Sequence, residues 1–134
     1  MPSREALIRQ LVDQWLIKAQ ADLDAAMALV EYEGELWAIV AFHCQQSAEK
    51  YIKAELTALQ IEFGKTHDIS ILLDRLNVKK NKLADSLRSA EALTVFGVQA
   101  RYPGDGPDVD QAEAKHALAL AEMVARLIWD ELEE

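Results

Sequence analysis

Between residues 3 and 32 the apolar side chains Ile8, Val12, Trp15, Ala19, Ala26 and Val30 recur at intervals of three, four or seven positions. That period fits an amphipathic α-helix. Such a helix is about 40 Å long, and its stripe needs a cover of comparable length. A second stretch supplies one. Trp37, Ala41, Cys44, Ala48, Ile52 and Leu59, flanked by Tyr51 and Leu56, again keep helical spacing. Gly34, between Glu33 and Glu35, is the expected stop between the two helices, because glycine reaches the left-handed conformation without steric cost. The second helix is expected to start near Leu36 and to end before Gly64. Two long helices joined by a short turn pack antiparallel.

Further along, Asp68 is placed to cap a short third helix, "ISILLDRL", by accepting backbone hydrogen bonds in its first turn. Residues 77–81 break it. "KLADSLRSAEALTVF" has Leu83, Leu87, Ala90 and Leu93 on one side and reads as a fourth helix that Gly97 closes. The segment "RYPGDGPD" packs two prolines and two glycines into eight residues and is expected to be a loop. A last helix is expected from Asp108 or Asp110 to the acidic end. Its core side is Ala114, Ala117, Leu118, Ala121 and Val124, followed by Ala125 and Ile128. No segment pairs as strands. The expectation is one domain over residues 1–134, an all-α, antiparallel up-and-down bundle of four main helices plus one short helix.

With 134 residues and 51% hydrophobic content, the chain can bury a single core. Cys44 is the one cysteine, which excludes an intramolecular disulfide and fits a reducing cytoplasm. No window approaches the ~18 apolar residues of a membrane span. The net charge of -9 opposes nonspecific attraction to polyanions. Its distribution is uneven, however. Residues 65–88 hold Lys65, Arg75, Lys79, Lys80, Lys82 and Arg88 against Asp68, Asp74 and Asp85, which is 6 − 3 = +3, so the remainder carries -12. Either a solvated lysine-rich face or a local basic surface fits that segment.

The stretch "FHCQQSAEKYIKAEL" sets His43, Gln46, Lys50 and Lys53 within about 80° of one another on the second helix, away from its core stripe. A wet face is the plain reading, with Glu49 and Lys53 an ordinary pair four residues apart. Two adjacent glutamines and a histidine instead suit hydrogen bonds across an interface or to a polar ligand. His67 precedes the third helix, where free backbone N–H groups can hold a phosphate or where the imidazole simply packs in a capping turn. Arg101 and Tyr102 stand just before the proline-glycine loop. The arginine can fork onto a phosphate or carboxylate, or pair with Asp105, Asp108 or Asp110. His43, His67 and His116 show no metal-binding spacing, so no metal and no cofactor are expected. No phosphate-binding loop, dinucleotide fingerprint or nucleophile elbow is present.

The order of "ADLDAA", "AFHCQQSAEKYIKAEL", "THDISILLDRL" and "ARYPG" before an alanine-rich last helix resembles the HEPN domain family. Gln45, Gln46, Ala48, Glu49, Lys50 and Lys53 carry the resemblance, with His67, Asp68, Arg101, Tyr102 and Pro103. It implies a helical homodimer, often made beside a nucleotidyltransferase of the MNT type as a toxin–antitoxin pair, and a nucleotide or RNA as ligand. Under that resemblance Gln46, Lys50, Lys53, His67, Arg101 and Tyr102 are the candidate ligand-binding residues. Many family members are metal-independent ribonucleases that use an arginine followed, after four to six residues, by a histidine. Here those positions after Arg101 hold Gly106, Pro107 and Asp108. Cleavage of RNA by its own 2'-hydroxyl needs a group of near-neutral pKa to move protons, which arginine is not. The leading expectation is therefore a binding partner of a nucleotidyltransferase. Its alternatives are a ribonuclease toxin whose proton carrier is His67 or His43, with Arg101 and His67 the catalytic candidates, and a helical interaction module without ligand.

Overall fold

Helix α1 spans Arg4–Val30 and begins under the side chain of Ser3, whose Oγ accepts the Ala6 N–H at 3.1 Å. Val12, Leu16, Ala19, Leu23 and Ala26 form its buried stripe, with Ile8, Trp15 and Val30 partly buried beside it. Helix α2, Trp37–Ala58, returns antiparallel. Arg4 reaches Gln60, Trp15 meets Lys53 and Phe63, and Asp22 meets Lys50 and His43, so positions advance along one helix as they recede along the other. The computed structural model describes residues 1–97 and 108–133.

The turns are built differently from expectation. Gly34 is not left-handed; Glu35 is, at φ 56°. Gly34 lies under the Tyr32 ring, where an added Cβ would stand 2.1 Å from a ring carbon, so a side chain there would have to displace that exposed ring. Helix α2 ends before Gly64, as expected, at Ala58. Gln60 takes the left-handed conformation at φ 58°, with Ile61 N–H bonded to Leu56 O and Gln60 N–H to Thr57 O, a Schellman closure made without glycine.

Asp68 caps α3, Ile69–Asn77, as its position predicts, and its carboxylate accepts the Ser70 N–H at 2.9 Å. The expected fourth helix divides in two. Helix α4 covers Asn81–Leu87 and continues as a 3₁₀ helix over Arg88–Gly97. The reason is in the spacing: Leu87, Ala90, Leu93 and Phe96 recur every three residues, which aligns on a helix of three residues per turn and drifts on one of 3.6. Arg88 bonds Glu91, three residues on, at 2.8 Å. Helix α5, Gln111–Leu132, starts in a capping box of Asp110 and Glu113 and ends with Trp129 and Leu132 near Ile8, Val12 and Ala58.

The described residues contain helices and no strands, in an all-α up-and-down arrangement. Helix α2 is its axis. Between residues 40 and 56 every α2 residue is buried or half-buried, because α1, α5, α3 and the 3₁₀ helix all pack against it. Fully enclosed side chains such as Ile52, Leu56, Leu72 and Leu93 each contribute about 2 kcal/mol through apolar burial.

Candidate functional site

Turning 100° per residue along α2, Gln45, Glu49, Lys53, Gln46, Lys50 and His43 fall within one side of the helix, an arc that Phe42 and Leu56 also share. It is not a wet face. Gln45, Glu49 and Lys53 are buried and the other three are half-buried, roofed by α1 on one side and by the 67–68 turn and the 3₁₀ helix on the other.

Glu49 is the hub of this arc and is only 2% exposed. Its carboxylate accepts from Lys53 Nζ at 2.9 Å and Gln45 Nε2 at 3.0 Å, and meets His67 Nδ1 at 3.1 and 3.2 Å. Burial works against its charge. The hydrogen bonds from Lys53, Gln45 and His67, with the Lys53 charge, outweigh that and hold the carboxyl below its usual range. Lys53 is itself 5% exposed, and its ammonium lies 5.5 Å from the Trp15 ring centre and 5.6 Å from that of Phe63. Its expected place on a solvated stripe is therefore corrected: it is a buried cation held by one carboxylate and two aromatic rings.

Gln45 ties the hub to its surroundings. Its amide N–H groups reach Glu49 and the His67 carbonyl oxygen, the latter at 3.4 Å, and its oxygen accepts from Gln46 at 2.6 Å. Gly97 packs on this amide so closely that an added Cβ would stand 3.1 Å from Gln45 Cδ. A second group lies further up the arc. Asp22 of α1 bridges His43 Nδ1 at 2.9 Å and Lys50 Nζ at 2.5 Å, so the Lys50 charge is matched as well.

The His67 ring is 75% exposed. It is not packed into its turn, and the backbone donors expected there for a phosphate are already engaged. Asp68 N–H donates to Thr66 Oγ1, Ile69 N–H to Thr94 Oγ1 and Ser70 N–H to Asp68. What the turn offers is the imidazole. With Nδ1 facing a buried carboxylate, Nδ1 carries the proton and Nε2 is the nitrogen available to a ligand. His116 is exposed on α5, apart from this group. Arg101 and Tyr102, with Asp105, fall outside the described residues. Asp110 caps α5.

Part of the positive charge of residues 65–88 is absorbed. Lys80 bonds Glu55 and Glu131, Arg88 bonds Asp74 and Glu91, and Lys79 bonds the Leu59 carbonyl oxygen. Among the described residues no three His, Cys, Asp or Glu side chains gather as a metal-binding group, and no helix is long and apolar enough to cross a membrane. Asp22, Trp15 and Phe63 were not legible as parts of this region. The one available signal was the ladder Gln45, Glu49, Lys53 at steps of four, adjoining the core stripe.

The architecture is that of a small helical bundle whose central helix carries a buried, hydrogen-bonded polar hub opening on one exposed imidazole. The model of the HEPN domain family matches residues 12–132, and the chain belongs to that family. No curated protein and no solved structure matches the chain. Membership relates the chain to nucleotide- or RNA-directed function at the level of the family.

Proposed function

We propose that the chain acts as a homodimeric partner subunit of an MNT-type nucleotidyltransferase in a toxin–antitoxin module, and that it receives a nucleotide or RNA phosphate where His67 emerges from the polar hub. The observation that carries this reading is the exposed imidazole fixed through Nδ1 on buried Glu49. A ring so held presents Nε2 in one direction, and as the imidazolium it donates Nε2–H to a phosphate oxygen at little cost in side-chain entropy. Gln46 is half-buried and bonds Gln45, and Lys50 is half-buried further along the arc, paired with Asp22. Arg101 and Tyr102 follow Gly97 by four and five residues, and Gly97 rests on Gln45; four residues are a tether of at most ~14 Å. Lys53 acts from beneath by fixing Glu49.

Titration of the purified chain with common nucleotides and a short RNA tests the binding. A saturable rise in melting temperature is expected, weakened in His67→Ala and Arg101→Ala. No rise with any of them refutes the ligand and leaves a helical interaction module. Co-expression with a nucleotidyltransferase of this type is expected to yield one peak on size exclusion; separate elution at micromolar concentration refutes the partnership.

The same carboxylate–imidazole pair favours a second reading, a metal-independent ribonuclease. His67 Nε2 would take the 2'-hydroxyl proton as that oxygen attacks phosphorus and the P–O5' bond breaks; the imidazolium formed, stabilised by Glu49, would return the proton to the departing 5'-oxygen. Incubation with mixed RNA without added metal decides it. Cleavage lost in His67→Ala supports the enzyme; intact RNA in every lane removes it.

A further inference from the structure

Helix α1 carries a second stripe, facing away from the core. Leu7, Leu11, Gln14 and Lys18 follow one another at steps of four, three and four. The series continues through Ala21, Ala25 and Ala28 at three, four and three. That alternation keeps residues on one seam of a 3.5-residue repeat, the spacing by which two helices lie side by side. The seam is open: Leu7 is 46% exposed, Leu11 50% and the adjoining Ile17 69%. Ala25 alone of its members is half-buried. No acidic residue stands on it, although the chain has 23.

We propose that this seam is where two copies of the chain meet, with their α1 helices antiparallel. Pairing as such belongs to the function proposed above, on which this inference rests; the face and the direction are new. Two features of α1 select the direction. The first is size. Antiparallel helices set Leu11 of one copy over Ala28 of the other at both ends, so large meets small. Parallel helices would set leucine on leucine at one end and alanine on alanine at the other, leaving the backbones unevenly spaced.

The second feature is charge. Residues 1–10 hold Arg4 and Arg9 against Glu5, which is 2 − 1 = +1, whereas residues 31–35 hold Glu31, Glu33 and Glu35, which is -3. Antiparallel packing joins these opposite ends twice and also opposes the helix dipoles. Parallel packing would stack three glutamates on three. The register that sets Lys18 against Ala21 of the partner, and not lysine against lysine, also sets Leu11 against Ala28 of the partner.

Sedimentation equilibrium on the full chain tests the face. The native chain is expected to be a dimer, Leu11→Glu to dissociate at least about tenfold more readily because a carboxylate is then buried at the contact, and Ile71→Glu on exposed α3 to match the native chain. Oxidative cross-linking tests the direction, and the native thiol, Cys44, is buried and does not compete. Leu11→Cys and Ala28→Cys chains mixed together are expected to cross-link, while neither does so alone. A native dimer indifferent to Leu11→Glu overturns the seam but leaves homodimerisation standing; a monomeric native chain overturns both. Self-cross-linking of either single variant overturns the antiparallel arrangement.

Discussion

His67 Nδ1 lies 3.1 Å from Glu49 Oε2, and the two could hardly differ more in surroundings: the ring is largely in solvent while the carboxylate is enclosed. The buried partner is over-determined by Gln45 and Lys53, so the exposed one inherits a fixed orientation. Disturbing the hub from beneath should therefore act on His67 without touching it.

Glu49→Gln leaves Lys53 buried among Trp15 and Phe63 without its counter-charge, and a buried ion stripped of its partner costs about 3–5 kcal/mol. Lys53→Met places an apolar chain in the same aromatic setting and should cost less. The double variant should be more stable than Glu49→Gln alone. Urea unfolding of the three variants completes the cycle, and a double variant no better than Glu49→Gln would contradict the pairing.

Acid should weaken the fold through the same carboxyl. Its folded pKa is lowered from the ordinary 4.5, so its contribution is present above that value and is lost as pH falls through the lower folded one. The difference in melting temperature between the native chain and Glu49→Gln should shrink steadily on acidification from pH 5. A constant difference would show that the carboxylate's charge contributes nothing.

Cys44 behaves in the opposite sense. Burial, and then the Glu122 charge, push its thiol from 9.0 up to about 12. The folded chain keeps this proton when the unfolded chain has released it, so stability should fall as pH rises from 9 towards 12. In the native state the thiol should resist alkylation, reacting at the rate of global opening. Prompt labelling at neutral pH would contradict its burial.

Ser47 Oγ is buried on α2 and has no hydrogen-bond partner among the described residues. Ser47→Ala removes a desolvated hydroxyl and improves helix propensity, and should raise stability by about 1 kcal/mol. A loss of stability on calorimetry would mean that the hydroxyl is bonded after all.

Much of the fold was readable because helices announce themselves locally. The stripes of α1 and α5 and the caps Ser3, Asp68 and Asp110 depend on residues a few positions apart. The 3₁₀ helix was also present in the sequence, in the strict step of three from Leu87 to Phe96, but that step is easily absorbed into a helical period. The polar arc was different in kind. Angle along α2 tells which way Glu49 and Lys53 point, and nothing local tells that Trp15, from thirty-eight positions earlier than Lys53, closes over them. Nor does a cation count reveal that Lys50, Lys80 and Arg88 arrive already matched to acids.

Helix α2 has no outer side between residues 40 and 56. A surface helix can change half of its residues with little penalty, since water accepts most replacements. Here each replacement must instead satisfy a neighbour from one of several other elements, apolar on one flank and hydrogen-bonding on the next. The segment should consequently behave as a single indivisible unit under random mutagenesis, intolerant along its whole length, while the outward positions of α1 vary freely except along the seam from Leu7 to Ala28.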